Sequence, residues 1–187
     1  MGLVIFLVVV ALLVAVAVKA YNRLVALGRQ SAEAWSDVDV QLKRRTDLVP
    51  KLVERVKGYA DHERGTFEDV VRARGAAVNA ETHEARGRAE GQLGDALRHL
   101  FAVAESYPDL KANENFQRLQ GSLGQIESDI QSARRDYNAV VRDLNTAVDS
   151  FAGNQIALVF RFVKRGYFEL DPPEDRHVPT VSFPGRA

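Results

Sequence analysis

Apolar residues follow three different patterns along this chain, and each predicts a helix in a different environment. Residues 1–18 read MGLVIFLVVVALLVAVAV without a charge, and the run stops at Lys19. At 1.5 Å per residue, about 18 to 20 apolar residues cross a hydrocarbon core of roughly 30 Å, so residues 1–20 predict one nearly upright transmembrane anchor. Farther along, Phe116, Leu119, Leu123, Ile126, Ile130, Ala133, Tyr137, Val140, Leu144, Ala147 and Phe151 alternate spacings of three and four. A 3.5-residue repeat sustained over about five heptads predicts a long helix over 112–150 that packs by one face. A looser stripe of Trp35, Val38, Leu42, Val49, Val53, Val56 and Ala60 marks 21–60 as a helix continuous with the anchor. Pro50 falls inside it. A proline there has no N–H for the Thr46 carbonyl and crowds that turn, so a kink between Thr46 and Pro50 is expected.

Between these helices, residues 62–106 are rich in Ala, Glu and Arg, with Phe67, Val70, Leu93, Leu97, Leu100 and Ala104 as apolar positions. They read as one helix with a weak middle near 79–91, where Thr82, Gly87 and Gly91 occur and a break or fraying is expected at about 1 kcal/mol per interior glycine. Pro108 marks the turn into the last long helix. Residues 154–167 read as a short fourth helix. Ile156, Val159, Phe160, Val163 and Tyr167 then share one face, with Arg161, Lys164 and Arg165 on the other. Such a basic amphipathic helix docks on its own bundle or lies on a membrane. Docking is the expectation, because a three-helix rod needs a cover for its apolar stripe. Phe160, Arg161, Lys164, Arg165 and Tyr167 are nevertheless candidates for membrane or partner contact. Residues 169–187 are proline-rich and irregular, with 178–183 able to pair as an extended segment.

The predicted architecture is all-α: an anchor (1–20) and a bundle (21–168) of three long antiparallel helices plus the short fourth. Each long helix spans about 60 Å by its rise. The first leaves the membrane, the second returns and the third runs out again, so the fourth helix is expected at the distal end, within reach of a second membrane or a partner.

Composition narrows what this rod does. The apolar run is too long for a usual signal-peptide core and has no basic residue before it, although Ala15-Val16-Ala17 resembles a cleavage site. Phe6 stands where N-myristoylation needs Ser or Thr, and a chain without cysteine takes neither a lipoprotein anchor nor palmitate. Lys19, Arg23 and Arg29 follow the span, so the positive-inside bias predicts a single-pass protein with its N-terminus outside and its bundle in the cytoplasm. With 25 basic and 25 acidic side chains the formal charge is zero, which argues against nucleic-acid binding. The lack of cysteine also excludes disulfides, thiolate catalysis and cysteine-held metals.

Catalytic motifs fail on inspection. His62-Glu63 begins like the zinc-protease HExxH, but Thr66 replaces the second histidine; His83-Glu84 fails likewise at Gly87. Gly121-Ser122-Leu123-Gly124 lacks the ending of a phosphate loop, and its glycines read as close-packing points between helices. No nucleophile-elbow sequence presents a serine. No enzyme activity, metal or cofactor is expected. The charged block of Asp39, Lys43, Arg44, Arg45, Asp47, Lys51, Glu54 and Arg55 lies about 35 Å beyond the anchor, several Debye lengths from lipid. Its i,i+4 spacings predict a solvated, self-paired face. The sharper alternative is a polar contact surface made by Trp35, Asp39, Lys43, Arg44, Arg45, Asp47 and Pro50. Trp35, Tyr59, Tyr107 and Tyr137 are expected in the core or between subunits, and Asn113 and Asn115 as helix caps.

YNRLVAL (21–27), AWSDVDVQLKRRTDLVPKLV (34–53), VKGYADHE (56–63), LFAVAESYPDLKANENFQRLQ (100–120), ARRDYN (133–138) and PTVSF (179–183) together resemble the LemA family, in order along nearly the whole chain. The resemblance implies a bacterial single-pass inner-membrane protein with a helical-bundle domain, with relatives that take part in organelle membrane formation in magnetotactic bacteria, and without an established enzyme activity. The expected function is a non-catalytic, membrane-anchored scaffold that self-associates as a homo-oligomer or recruits a membrane-protein partner. The alternative is an accessory subunit of a membrane enzyme such as a protease.

Overall fold

The computed structural model describes residues 1–60 and 62–170. Among these residues there are six helices, α1 (Gly2–Lys57), α2 (Arg64–Asn79), α3 (His83–Glu105), α4 (Pro108–Lys111), α5 (Glu114–Asp149) and α6 (Phe151–Phe160), and no strand. The segment expected to pair at 178–183 lies outside the described residues.

α1 is one helix of 56 residues that carries both the apolar run and the first wall of the bundle. It passes through Pro50 without ending there. The Thr46 carbonyl, which the proline cannot serve, accepts a hydrogen bond from Arg74 Nε of α2 at 2.8 Å, so the lost bond is replaced across the bundle. Arg55 and Lys57 place positive charge in the last turn, where the helix dipole favours it.

The two long helices meet along heptad seams. On α1 every seventh residue from Leu24 is buried: Leu24, Ser31, Val38, Arg45 and Leu52. On α5 the buried set Phe116, Leu123, Ile130, Tyr137 and Leu144 keeps the same interval. Leu52 is buried at the place where the sequence stripe suggested Val53, which is half-buried, and Phe151 falls outside the seam as an exposed first residue of α6. Contacts fix the direction of α5. Asn113, its N-cap, reaches Tyr59; Glu127 meets Arg45; Leu144 and Ala147 pack with Leu24. α5 therefore runs back toward the apolar end of α1.

This reverses the expected topology, and the cause is the middle segment. Residues 62–106 form two helices rather than one, divided where Ala80 and Thr82 turn extended and the Thr82 hydroxyl accepts the Ala85 N–H at 3.1 Å as an N-cap. α2 returns along α1, and α3 then runs outward again, Arg86 beside Asp39 and Glu90 beside Arg45. That extra reversal sends α5 inward and puts α6 at the base of the rod, not at its distal end.

The fourth helix also ends earlier than its apolar pattern suggests. Ser150 caps it by accepting the Gly153 N–H at 3.2 Å. Arg161 adopts the left-handed conformation, φ 59° and ψ 37°, and the Phe162 N–H closes the end on the Ala157 carbonyl at 3.0 Å. Residues 162–170 then climb the rod as an irregular strap, so Lys164, Arg165 and Tyr167 are not helical. Two asparagines one heptad apart on α5 hold it. Asn145 donates to the Arg165 carbonyl and accepts from its N–H, both at 2.9 Å; Asn138 does the same for Phe168 at 3.0 and 2.8 Å. Gly87 and Gly91, one turn apart on α3, make room for the strap. A Cβ on either would lie 2.1 Å from the carbonyl oxygen of Glu169 or Leu170. Gly121 and Gly124, the close-packing points expected from sequence, border open space instead.

The core is stacked in three tiers. The distal tier joins α1 to α5 through Val49, Leu52, Leu93, Leu97, Leu110 and Phe116; the middle tier sets Val38, Leu42, Ile130 and Tyr137 around Phe168 of the strap; the basal tier seats Ala157 of α6 on Leu24, Leu144 and Ala147.

Candidate functional site

Two regions of the rod are built from residues that the sequence singles out: a polar waist at mid-height and the basal end around α6. At the waist, Arg45 occupies a seam position between Val38 and Leu52, and it is 1% exposed. Its guanidinium bridges two helices. Nη1 donates to Glu127 Oε1 and Oε2 of α5 at 2.8 and 3.1 Å, while Nη2 donates to the Glu90 carbonyl of α3 at 2.8 Å and pairs with the Glu90 carboxylate. Arg86 extends the chain of charge, 3.4 Å from Glu90 Oε1 and 3.1 Å from Asp39. Burial alone would lower the Arg45 pKa; the two carboxylates outweigh it and hold the guanidinium above its ordinary value. Arg45 is thus a fixed interior cation with every charge answered inside the bundle.

Trp35 sits one step below. Its ring stacks on His83 at 3.6 Å between centroids and meets Tyr137 and Phe168 edge-on at 5.3 and 5.2 Å. The Tyr137 hydroxyl donates to the Gly166 carbonyl at 3.1 Å, which leaves its oxygen to accept from His83 Nδ1 at 3.3 Å. Burial, then the nearby Arg165 charge, holds the His83 pKa below its ordinary value, and burial raises that of Tyr137. A neutral imidazole with its proton on Nδ1 is the state that fits. The cluster joins α1, α3, α5 and the strap at one point.

The structure therefore splits the polar surface that the sequence proposes. Arg45 and Trp35 face inward, Asp39 is half-buried against Arg86, and Lys43, Arg44, Asp47 and Pro50 face solvent. Among the outward residues Lys43 pairs with Asp47 at 3.5 Å and Arg44 donates to Gln41 at 3.3 Å. Glu90, Glu127 and Asn145 carry the waist and strap without a motif to announce them, whereas Asn138 closes the ARRDYN string. Arg45 does have a sequence signature: it stands seven residues after Val38 and seven before Leu52, so the heptad register places it inside.

At the base, α6 packs beside the first turns after the apolar run. Tyr21 touches Phe160 and Phe162, with ring centroids 4.8 and 5.8 Å apart. Val16, Lys19, Ala20, Arg23 and Leu24 border a small cleft shared with Ser150, Ala152 and Gly153. One face of α6 thus docks on the bundle. Phe160, Arg161, Lys164 and Tyr167 remain exposed, Lys164 pairs with Asp149 at 2.7 Å, and Arg165 is half-buried at the first strap asparagine.

The LemA family profile matches residues 34–183, which takes in the helices of the waist and the strap that clamps them. The chain belongs to the LemA family. Among proteins similar to this LemA-family chain, Magnetosome protein MamQ 1 of Paramagnetospirillum magneticum is 24% identical over 186 aligned residues, covering 86% of this chain and 68% of the relative. Magnetosome protein MamQ of Magnetospirillum gryphiswaldense is 23% identical over the same coverage. Protein LemA of Metamycoplasma hominis is 23% identical over 137 residues, 73% of this chain and 63% of the relative. A helical bundle, one apolar N-terminal helix long enough to cross a membrane, and relatives of these names mark a membrane-associated helical protein.

Proposed function

We propose that this LemA-family chain is a non-catalytic scaffold: α1 crosses the bacterial inner membrane, the rod stands in the cytoplasm, and its outer faces hold copies of the chain or a membrane-protein partner in a regular array. One observation carries the reading. The apolar window of α1 has no residue buried by the rest of the protein, yet the same unbroken helix supplies the bundle's main seam. Anchor and rod are then one continuous helix, so confinement in the membrane plane brings neighbouring rods side by side at one height. The interior supports a structural role as well, because Arg45 and Glu90 join two helices while Tyr137, Asn138 and Asn145 tie the strap to α5. Lys19, Arg23 and Arg29 just past the apolar run favour the cytoplasmic side. The magnetosome relatives favour work on membrane organisation or remodelling, in which repeated heterologous contacts build rings or filaments.

The test is the particle mass of full-length protein extracted in mild detergent, measured by light scattering with electron-microscope images of the same sample. A discrete homo-oligomer weakened by charge reversal at the exposed Arg44 supports the scaffold. A monomer sinks self-assembly, and a mass explained by a second protein transfers the role to an accessory subunit.

A further inference from the structure

The least settled surface of the rod is also the one nearest the apolar run. Phe151, Leu158, Val159 and Val163 are 93%, 71%, 73% and 75% exposed, and Phe160 between them is 55% exposed. Large apolar side chains in contact with water at this density are not explained by packing, since α6 already docks its other face through Ala157 and Ile156. Higher on the rod the exposed large apolar residues among those described are Val40, Tyr59, Val71, Val78 and Tyr167, spread over two helices, a turn and the strap.

Position says what covers the basal patch. The α1 residues seen beside α6, from Val16 to Leu27, flank the end of the apolar run, and Tyr21, which touches Phe160, is three residues beyond its last apolar residue. Three residues of helix rise about 5 Å, and the headgroup region on each side of a bilayer is roughly 5 to 8 Å thick. If α1 crosses the membrane, α6 is already at that depth.

Charge agrees with position. The chain as a whole has zero formal charge. Across residues 16–29 and 149–165, however, Lys19, Arg23, Arg29, Arg161, Lys164 and Arg165 are basic, while Asp149 is the one acidic residue and is answered by Lys164. Lys19, Arg23, Arg161 and Lys164 border the apolar patch and match an anionic lipid surface, whereas Arg29 and Arg165, the latter beside His83, lie higher on the rod. The bordering cations oppose a second copy on the same patch, because a two-fold interface would set this basic rim against itself.

We propose that α6 and the turn at Arg161 form a second membrane contact, inserted among the headgroups of the same bilayer that α1 crosses, with Leu158, Val159 and Val163 toward the acyl chains and the basic rim on lipid phosphates. The inference rests on α1 as a transmembrane helix. Two attachment points then fix the rotation of the rod about its axis, which a lone helix leaves free, so every rod presents the same outer face along the membrane.

The lack of native cysteine makes the test direct. Single-cysteine variants Leu13→Cys, Leu158→Cys and Val71→Cys of the full chain are nitroxide-labelled in bilayers of phosphatidylethanolamine with a minor share of phosphatidylglycerol. Collision rates with oxygen, which concentrates among acyl chains, and with a water-soluble nickel chelate are then compared. The expected result is an oxygen-to-nickel ratio at residue 158 several-fold above that at residue 71 and approaching that at residue 13. A ratio at 158 equal to that at 71 overturns the proposal. So does a label at 158 shielded from both reagents, which means protein covers the patch. A nickel-dominated label at 13 overturns the transmembrane reading itself and is told apart by that control.

Discussion

Arg45 shows how a single residue sets the register of the bundle. A charge at a seam position is tolerated only where partners surround it, and Glu90 and Glu127 come to it from two other helices. Truncation to Arg45→Ala leaves Glu90, 0% exposed, without its main countercharge. The expected loss is about 3 to 5 kcal/mol, read as a lower denaturation midpoint. The paired change Arg45→Met with Glu90→Leu is expected to recover most of it, because apolar side chains then fill the seam. His83 gives the rod a pH dependence of a definite sign. Its folded pKa is held below the ordinary value by burial and Arg165, so on acidification the unfolded chain takes up the proton first. The His83 contribution is therefore complete above about pH 6.5 and is lost as pH falls below it toward the folded value. Thermal unfolding followed from neutral to mildly acidic pH should show the wild type losing melting temperature faster than His83→Gln, which has no proton to gain. Parallel pH curves for the two proteins exclude His83 as the cause.

At the level of elements, periodicity made the long helices legible and the connections opaque. The seams of α1 and α5 stand in the sequence at intervals of seven, and the all-α bundle led by one long N-terminal helix follows from them. The break at 80–82 was harder to place because glycine, the usual sign of weakness, marks Gly87 and Gly91 within α3, where it serves strap packing rather than helix ending. The end of α6 was hidden for the opposite reason. Arg161 carries a left-handed turn that residue type disfavours, by about 1 to 2 kcal/mol, and the apolar spacing continues past it to Tyr167. Contacts made by Asn138 and Asn145 with strap backbone override that spacing. Gly91→Ala tests the clamp, since the added methyl would collide with the Leu170 carbonyl. Amide exchange at Arg165 and Phe168, whose N–H groups bond to the two asparagines, should quicken by about tenfold or more, equivalent to about 1.4 kcal/mol of lost protection, while exchange in α5 stays slow. Unchanged exchange means that the strap has slack to accept the methyl.

For the whole molecule, the decisive fact is the parity of its reversals. Two helices in the middle, α2 and α3, bring the chain home to the base, whereas one would have left its end far from the anchor. From Lys19 to Lys57 the helix rises about 57 Å, so the α4 corner is expected at about that height, with Ser150 at the bilayer surface. Energy transfer from a dye on Lys111→Cys or Ser150→Cys to acceptors in the headgroup layer checks this. Weak transfer from 111 and strong transfer from 150 is the expected pair, and the reverse order contradicts the topology.

The pairing of α1 with α5 also sets a timetable for the ribosome. Arg45 is made 82 residues before Glu127, and Leu24 waits longer still for Leu144 and Ala147. At about 5 to 20 residues per second, roughly 4 to 16 seconds separate the emergence of the two halves of the seam. During that interval the apolar stripe of α1 is uncovered, and α2 and α3 are the first partners to reach it. The hairpin at mid-chain is expected to cover the Val49 to Val56 end of α1 first, whereas Leu24 stays bare until α5 arrives.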